Sequence, residues 1–442
     1  MSTVGDPLAA FLEAATWHGT LERAEALLAS QPELASASIH AAAVLGDDAA
    51  VQRFLAQDPR SVTATAAPYG GDALNYLGLS KYLRLDPQRS DGFLRAATAL
   101  LDAGADPNTG FWTTGEHPER ETALYGAAGV AHHAALTRLL LERGADPNDE
   151  EAVYHSPEGY DNDAMKLLVG TGRLTPENLV LMLIRKHDWH DHDGARWLLE
   201  HGAEPNRERR RGSLPLHHAL ARDNGLATIA LLLDHGADPS LAQDGVTAVA
   251  RAARQGRGDV LQLFAERGLA IALDGVDRLI AACARGDGAA ARAIAAGEPG
   301  LVGEVLAMGG DLLARFAGTG NPSGVRQLLE LGVPVAAPFV AGDGYWGIPR
   351  NSLAIHVAAW RGQSAVVRVL LERGSPVDVP DANGRTPLAL AVRACVDSYW
   401  TDRRSPESVA ALLAAGASVN GVPFPSGYSD VDDLLRRHRR ET

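Results

Sequence analysis

An all-α solenoid of about twelve helix–turn–helix units with finger loops, in one continuous stack, is the fold this sequence predicts. Three observations predict it. A nine-residue phrase returns along the chain, a second phrase precedes it at a shared spacing, and no segment reads as a convincing strand. Self-similarity at a fixed period means units that bury their apolar faces only against their neighbours.

The first phrase appears as LLDAGADPN (100–108), LLERGADPN (140–148), LLEHGAEPN (198–206), LLDHGADPS (232–240) and LLAAGASVN (412–420). Weaker copies are LFAERGLAI (263–271), LLELGVPV (328–335) and LLERGSPVD (370–378). Upstream stand ETALYGAA (121–128), SLPLHHAL (213–220), VTAVARAA (246–253), SLAIHVAA (352–359) and RTPLALAV (385–392). The stretch from Thr247 to Leu331 looks the most even.

Each position has a physical reason. Thr386 can cap a helix through its hydroxyl, and Pro387 then takes the first helical position, where no N–H is needed. Small pairs such as Ala127–Ala128, Ala252–Ala253 and Ala358–Ala359 let neighbouring helices approach closely. Gly256, Gly286, Gly320 and Gly362 stand where first helices end and suit the left-handed stop conformation. Val366, Val369 and Leu370 give the second helix an apolar stripe at the helical period. Gly374 ends it, and in the copies at 100–108 and 140–148 Asp-Pro-Asn makes the turn that follows the glycine.

These phrases resemble the ankyrin repeat of bacterial-type proteins, whose pattern reads T-P-L-H-x-A-A…G…V-x-x-L-L…G-A-D. On that resemblance, units begin near residues 9, 37, 72, 121, 152, 176, 213, 246, 276, 310, 352 and 386. The stack divides into divergent capping repeats (1–62), irregular repeats with insertions (72–206), regular repeats (213–337), and insertion-bearing repeats with a capping helix (338–442). Terminal repeats deviate because one face must be polar, and the tail SDVDDLLRRHRRE reads as a charged covering helix. At roughly 10 Å per helix pair the arc would be on the order of 100 Å long. The resemblance also implies that His40, His217 and His356 hydrogen-bond between adjacent repeats, whereas position 125 carries a tyrosine instead.

Composition narrows the function classes. Fifty-five acidic against 41 basic side chains leave a formal charge of −14. That field repels phosphate backbones and anionic lipid heads, so nucleic acid and membrane are not expected partners. No stretch of eighteen apolar residues occurs, and the N-terminus lacks a signal-peptide profile. Two cysteines, Cys283 and Cys395, lie in separate helices and suit a reducing cytoplasm. No cofactor motif is present, and a monomer is expected.

Five insertions interrupt the pattern: 61–71, 109–120, 149–163 (in place of a normal first helix), 187–193 and 336–351. Aromatics are 5% of the chain, yet they gather in these insertions and at first-helix positions. Tyr69, Tyr76, Phe111, Trp112, Tyr125, Tyr154, Tyr160, Trp189, Tyr345, Trp346 and Trp360, with His155, form the candidate binding set, since exposed aromatics are common anchors. The alternative is that they fill gaps under irregular loops. Arg207, Arg209, Arg210 and Arg211 form either a solvated finger tip or a contact for an acidic partner.

The run His187–Asp193 brings three imidazoles and three carboxylates together. If the first helix continues through Asp191, His187 faces His190 and Asp191 at i+3 and i+4. This offers a weak metal half-site, with His155 as a further ligand. Its rivals are a capped helix end with Asp–His hydrogen bonds, and acid–base chemistry.

Two functions follow. One is an interaction module that binds a protein or peptide on its concave face. The other is a hydrolase-like enzyme or a binder of a small polar ligand, with a site in repeats three to six. Its catalytic candidates are Tyr154, His155, Asp161, His187 and Asp188. Function is expected in those repeats, where departures from the unit concentrate.

Overall fold

The computed structural model describes residues 6–208, 212–269, 272–398 and 400–441. They group into two compact units: Met1–Ala219 with Asp234–Gly236, and Leu220–Leu233 with Ala237–Thr442. We call these unit 1 and unit 2.

Twelve helix pairs are present among the described residues, each beginning within a few residues of the expected start. The local chemistry is the expected one. Ser38, Thr122, Thr247 and Thr386 cap first helices, each accepting a backbone N–H three residues on. Asp47, Asp191, Asp287 and Asn321 do the same for second helices. A cap of this kind contributes about 1 kcal/mol. First helices end on Gly256, Gly286, Gly320 and Gly362, with φ of 73, 70, 75 and 69°. Val366, Val369 and Leu370 are buried on one face of Ser364–Glu372. Two of the three motif histidines make the bond that the resemblance implies. His40 donates from Nε2 to Ala64 O, and His356 to Val379 O, both at 2.7 Å. His217 is buried at the equivalent place. The final helix, Ser429–Glu441, buries Val431 and Leu435.

Several expectations are corrected. Strands exist among the described residues, as small antiparallel pairs in the fingers. Gly110–Trp112 pairs with Arg120–Thr122, Ala242–Gln243 with Val246–Thr247, and Pro338–Phe339 with Ser352–Leu353. Two chain segments leaving a turn side by side satisfy each other's backbone groups, so even these short segments pair. The insertion 149–163 does not replace its first helix: Glu150–His155 is a short helix capped by Asp149.

The stretch from Thr247 to Leu331 is less even than its spacing suggests. A further helix, Pro299–Ala307, follows the ninth repeat in place of a finger. The repeats of unit 2 also curl. Thr319 Oγ1 donates to Gln255 O at 3.0 Å, and Asn321 Nδ2 reaches Gly256 O at 2.7 Å and Ala284 O at 2.6 Å. First-helix ends of repeats eight, nine and ten therefore meet. Arg361 of repeat eleven donates to Asp223 of repeat seven at 2.6 Å. In a straight stack those repeats would stand roughly 40 Å apart, at about 10 Å per step.

Asp223, Arg257 and Arg361 are all buried, and Asp223 Oδ1 also accepts from Arg257 at 3.1 Å. The guanidinium of Arg361 lies 3.4 Å from the centroid of the Trp346 ring. A single carboxylate thus ties the ends of the curl together.

Candidate functional site

In unit 1, repeats four to six and the start of repeat seven carry a charged first-helix face. Its position follows from close packing. A Cβ on Gly126 would stand 2.4 Å from Gly78 C, and one on Gly129 would stand 2.7 Å from His155 Cβ. Glycine at these positions lets the first helices of repeats three to five approach closely. Tyr125 and His155 then meet with ring centroids 5.3 Å apart.

His155 lies between two carboxylates. Its Nδ1 is 3.0 Å from Glu158 Oε1, and its Nε2 is 3.3 Å from Glu151 Oε2. Burial alone would lower its pKa. The two hydrogen bonds and two negative charges reverse this and hold it at about 9. Arg185 extends the chain of charge to Glu158 Oε1 and Asp188 Oδ2, both at 2.6 Å. It also covers the Tyr154 ring at 4.0 Å and donates to Tyr154 O at 3.2 Å. His218 Nε2 reaches Asp188 Oδ1 at 2.8 Å.

Glu121 stands at the same face, on the strand Arg120–Thr122. It is 2% exposed, and its Oε2 has no hydrogen-bond partner among the described residues. Burial, then the charges of Glu151 and Glu119, push its carboxyl up to about 7. Folding therefore binds this proton more tightly than the unfolded chain does. The stability this carboxyl contributes is complete below the unfolded pKa and is lost as pH rises to about 7. We expect Glu121→Gln to match the wild type at pH 5 and to exceed it at pH 8 by up to about 3 kcal/mol. Urea unfolding at the two pH values checks this, and a deficit at pH 8 would count against it.

The sequence-derived candidates fare unevenly. Tyr125, Tyr154, His155 and Asp188 come together. Asp161 is exposed and caps the N–H of Asp163 at 3.1 Å. His187 is fully buried, and burial lowers its pKa to about 3. The expected helix face of His187, His190 and Asp191 does not form, because the helix Pro176–Asp188 ends before His190, which turns at φ 53°. Asp191 instead caps the next helix and holds the buried Lys186 at 2.8 Å. Among the described residues no group of three or more His, Cys, Asp or Glu side chains is arranged to hold a metal ion.

Most of the candidate rings are packing residues. Phe111 and Tyr76 are buried. Phe111 stacks on Tyr69 at 5.0 Å and meets Trp17 edge-on at 5.7 Å, while the Tyr76 hydroxyl donates to Ala66 O at 3.0 Å. In unit 2, Trp346 is buried in a cluster with Ala314, Phe339, Ile348 and Val357, against which Tyr345, Trp360 and Trp400 pack. Trp360 Nε1 donates to Trp346 O at 2.8 Å. The loop 336–351 therefore folds down onto its repeat. Exposed rings remain at Trp112 (63%), Tyr160 (70%) and Trp189. Arg207 pairs with Glu177 and Glu204 at 2.9 and 3.0 Å, whereas Arg209, Arg210 and Arg211 lie outside the described residues.

The residues overlooked in the sequence are Glu121, Glu151, Glu158 and Arg185. Glu151, His155 and Glu158 stand at i, i+4 and i+7, a helical spacing that could have exposed this charged row.

No helix among the described residues is long and apolar enough to cross a membrane. Two family models match the chain: ankyrin repeats in three copies over residues 151–275, and ankyrin repeats in many copies over residues 347–391. A putative palmitoyltransferase from Danio rerio is 35% identical over 104 residues, which are 23% of this chain and 13% of that protein. The similarity thus spans a small part of that relative. With these matches and the twelve helix pairs, the chain is an all-α protein built of ankyrin repeats.

Proposed function

We propose that the first-helix face of repeats four to seven binds a protein segment that presents a cationic side chain beside an apolar one. Ankyrin repeats are generally protein–protein interaction modules. The observation that carries the reading is Glu121: a buried carboxyl with an unpartnered oxygen, facing further carboxylates. Along the same face Glu151, Glu158 and Asp188 already engage His155, Arg185 and His218, whereas Glu121 takes part in no ion pair among the described residues. An arriving arginine or lysine supplies the missing positive charge and hydrogen-bond donors. Trp112, Tyr160 and Trp189 offer apolar surface on the same repeats, and aromatic anchors carry much of the energy in such contacts. The acid–base candidates suit this role better than catalysis, because Asp188 is engaged by Arg185 and His218, and His155 by two carboxylates.

A random peptide library panned against the purified chain tests the proposal. The enriched peptides are expected to pair Arg or Lys with an apolar residue. Trp112→Ala, a change at an exposed ring, is expected to weaken them about tenfold or more. Glu121→Gln weakens them more at pH 8 than at pH 6, since the carboxylate is charged only at the higher pH. Enrichment of acidic peptides, or wild-type affinity in both variants, would overturn the reading.

A further inference from the structure

Unit 2 contains a cleft of about 940 Å³ between repeats eight and ten and the added helix, a volume in the range of small-molecule sites. Arg251, on the first helix of repeat eight, and Arg315, on that of repeat ten, both line it. Arg254 lines it as well, but Asp277 holds that guanidinium with both oxygens, at 2.6 and 2.9 Å. No ion pair engages Arg251 or Arg315 among the described residues, and Arg251 Nε is buried without a hydrogen-bond partner. Two carboxylates stand nearby. Asp311 lines the cleft and accepts from Ala341 N at a long 3.5 Å, while Asp244 attracts Arg251 without pairing with it.

Such an arrangement costs stability. Burial, then the like charges of Arg315 and Arg254, lower the pKa of the Arg251 guanidinium. A glutamine would fill the same space without repulsion, and local rules are commonly broken where function requires it. Apolar residues complete the lining: Leu306, Met308, Pro338 and Val340 face the same space, and Leu306 and Val340 are exposed large apolar residues. Leu306 belongs to Pro299–Ala307, the helix that replaces a finger. The departure from the repeat thus builds one side of the cleft, and insertions in repeat arrays often mark binding faces.

We propose that this cleft binds a small anionic amphiphile, a carboxylate or phosphate monoester with an apolar body. The head group would take hydrogen bonds from Arg251 and Arg315, whose planar guanidinium forks match such oxyanions. The body would lie on Leu306, Met308, Pro338 and Val340. Bound anion would remove the repulsion between the two cations, so binding and stability are coupled.

Calorimetric titration of the whole chain with octanoate, octyl phosphate, inorganic phosphate and octyltrimethylammonium tests this. Either anionic amphiphile is expected to bind at least tenfold more tightly than inorganic phosphate or the cationic amphiphile, and the tighter of the two identifies the head group. Arg251→Gln/Arg315→Gln is expected to lose at least tenfold in affinity. Without ligand it should melt higher than the wild type, and it should gain nothing from octyl phosphate. If the double variant does not fold, Arg315→Gln alone carries the same comparison. The proposal falls if the cationic amphiphile binds equally, if inorganic phosphate binds as tightly as octyl phosphate, or if the variants keep wild-type affinity. It also falls if an acidic peptide binds the cleft while neither anionic amphiphile does.

Discussion

The Asp223→Asn variant is expected to unfold about 3–5 kcal/mol more easily than the wild type. Asp223 accepts from Arg257 and Arg361, all three side chains being buried, and Arg403 approaches it at 3.6 Å. Removing the charge takes from the buried Arg257 and Arg361 the carboxylate they share, and a lost partner of a buried charge is costly. Asparagine tolerates the left-handed backbone of this position, φ 53°, so the loss reports charge and not strain. Asp259 supplies the control. It also pairs with Arg257, at 2.9 Å, but its side chain is 43% exposed. Asp259→Asn is expected to cost no more than about 1 kcal/mol. Thermal melts followed by tryptophan fluorescence compare the two, since Trp346, Trp360 and Trp400 lie in the same unit. Equal losses would show that the curl of unit 2 does not depend on this carboxylate.

Unit 1 is expected to lose stability as pH rises, through His155. Its pKa in the folded chain is about 9 against an ordinary 6.5. Folding therefore favours the protonated form. The resulting stability is fully present below pH 6.5 and is lost as pH climbs through about 9. It amounts to about 3 kcal/mol, on the scale of 1.36 kcal/mol per pKa unit. Glu158 gives the complementary sign. Burial would raise its pKa, but the hydrogen bond and charge of His155 more than offset this and lower it, so its share is lost in acid. His155→Gln is expected to be about 3 kcal/mol less stable than the wild type near pH 6, with the gap closing above pH 9. Urea titrations at intervals from pH 5 to 10 measure it. A gap that stays constant with pH would assign the effect to packing against Tyr125 and Tyr154 instead.

Both effects arise where the sequence was hardest to read. Asp223 and Arg361 are 138 residues apart, and nothing in either local phrase announces the other. The contact exists because the repeats between them curl, bringing repeats seven and eleven together. His155 stood out as a candidate, whereas Glu121 and Arg185 did not, because they look like ordinary surface charges until the first helices pack. The reading of aromatics erred in the other direction. Phe111, Tyr76 and Trp346 lie in glycine-bearing insertions or on first helices and looked like anchors, yet each is buried against a neighbouring repeat. Side-chain type alone does not distinguish a ring aimed at solvent from one folded beneath its own loop.

Repeat number, helix starts, caps, glycine stops and the motif histidines were legible without coordinates. They depend on interactions within a few residues or between adjacent repeats, and such interactions leave a period in the chain. Curvature, the burial of Asp223, the unpaired state of Arg251 and the shift of Glu121 depend on which surfaces meet across several repeats. Those meetings are set by the summed rotation of one helix pair on the next, and a single inserted helix changes that sum. Charge placed by such packing enters a low-dielectric setting, where pairing or its absence is worth several kcal/mol. For that reason the scaffold could be read residue by residue, whereas the chemistry of its two charged faces appeared only after folding.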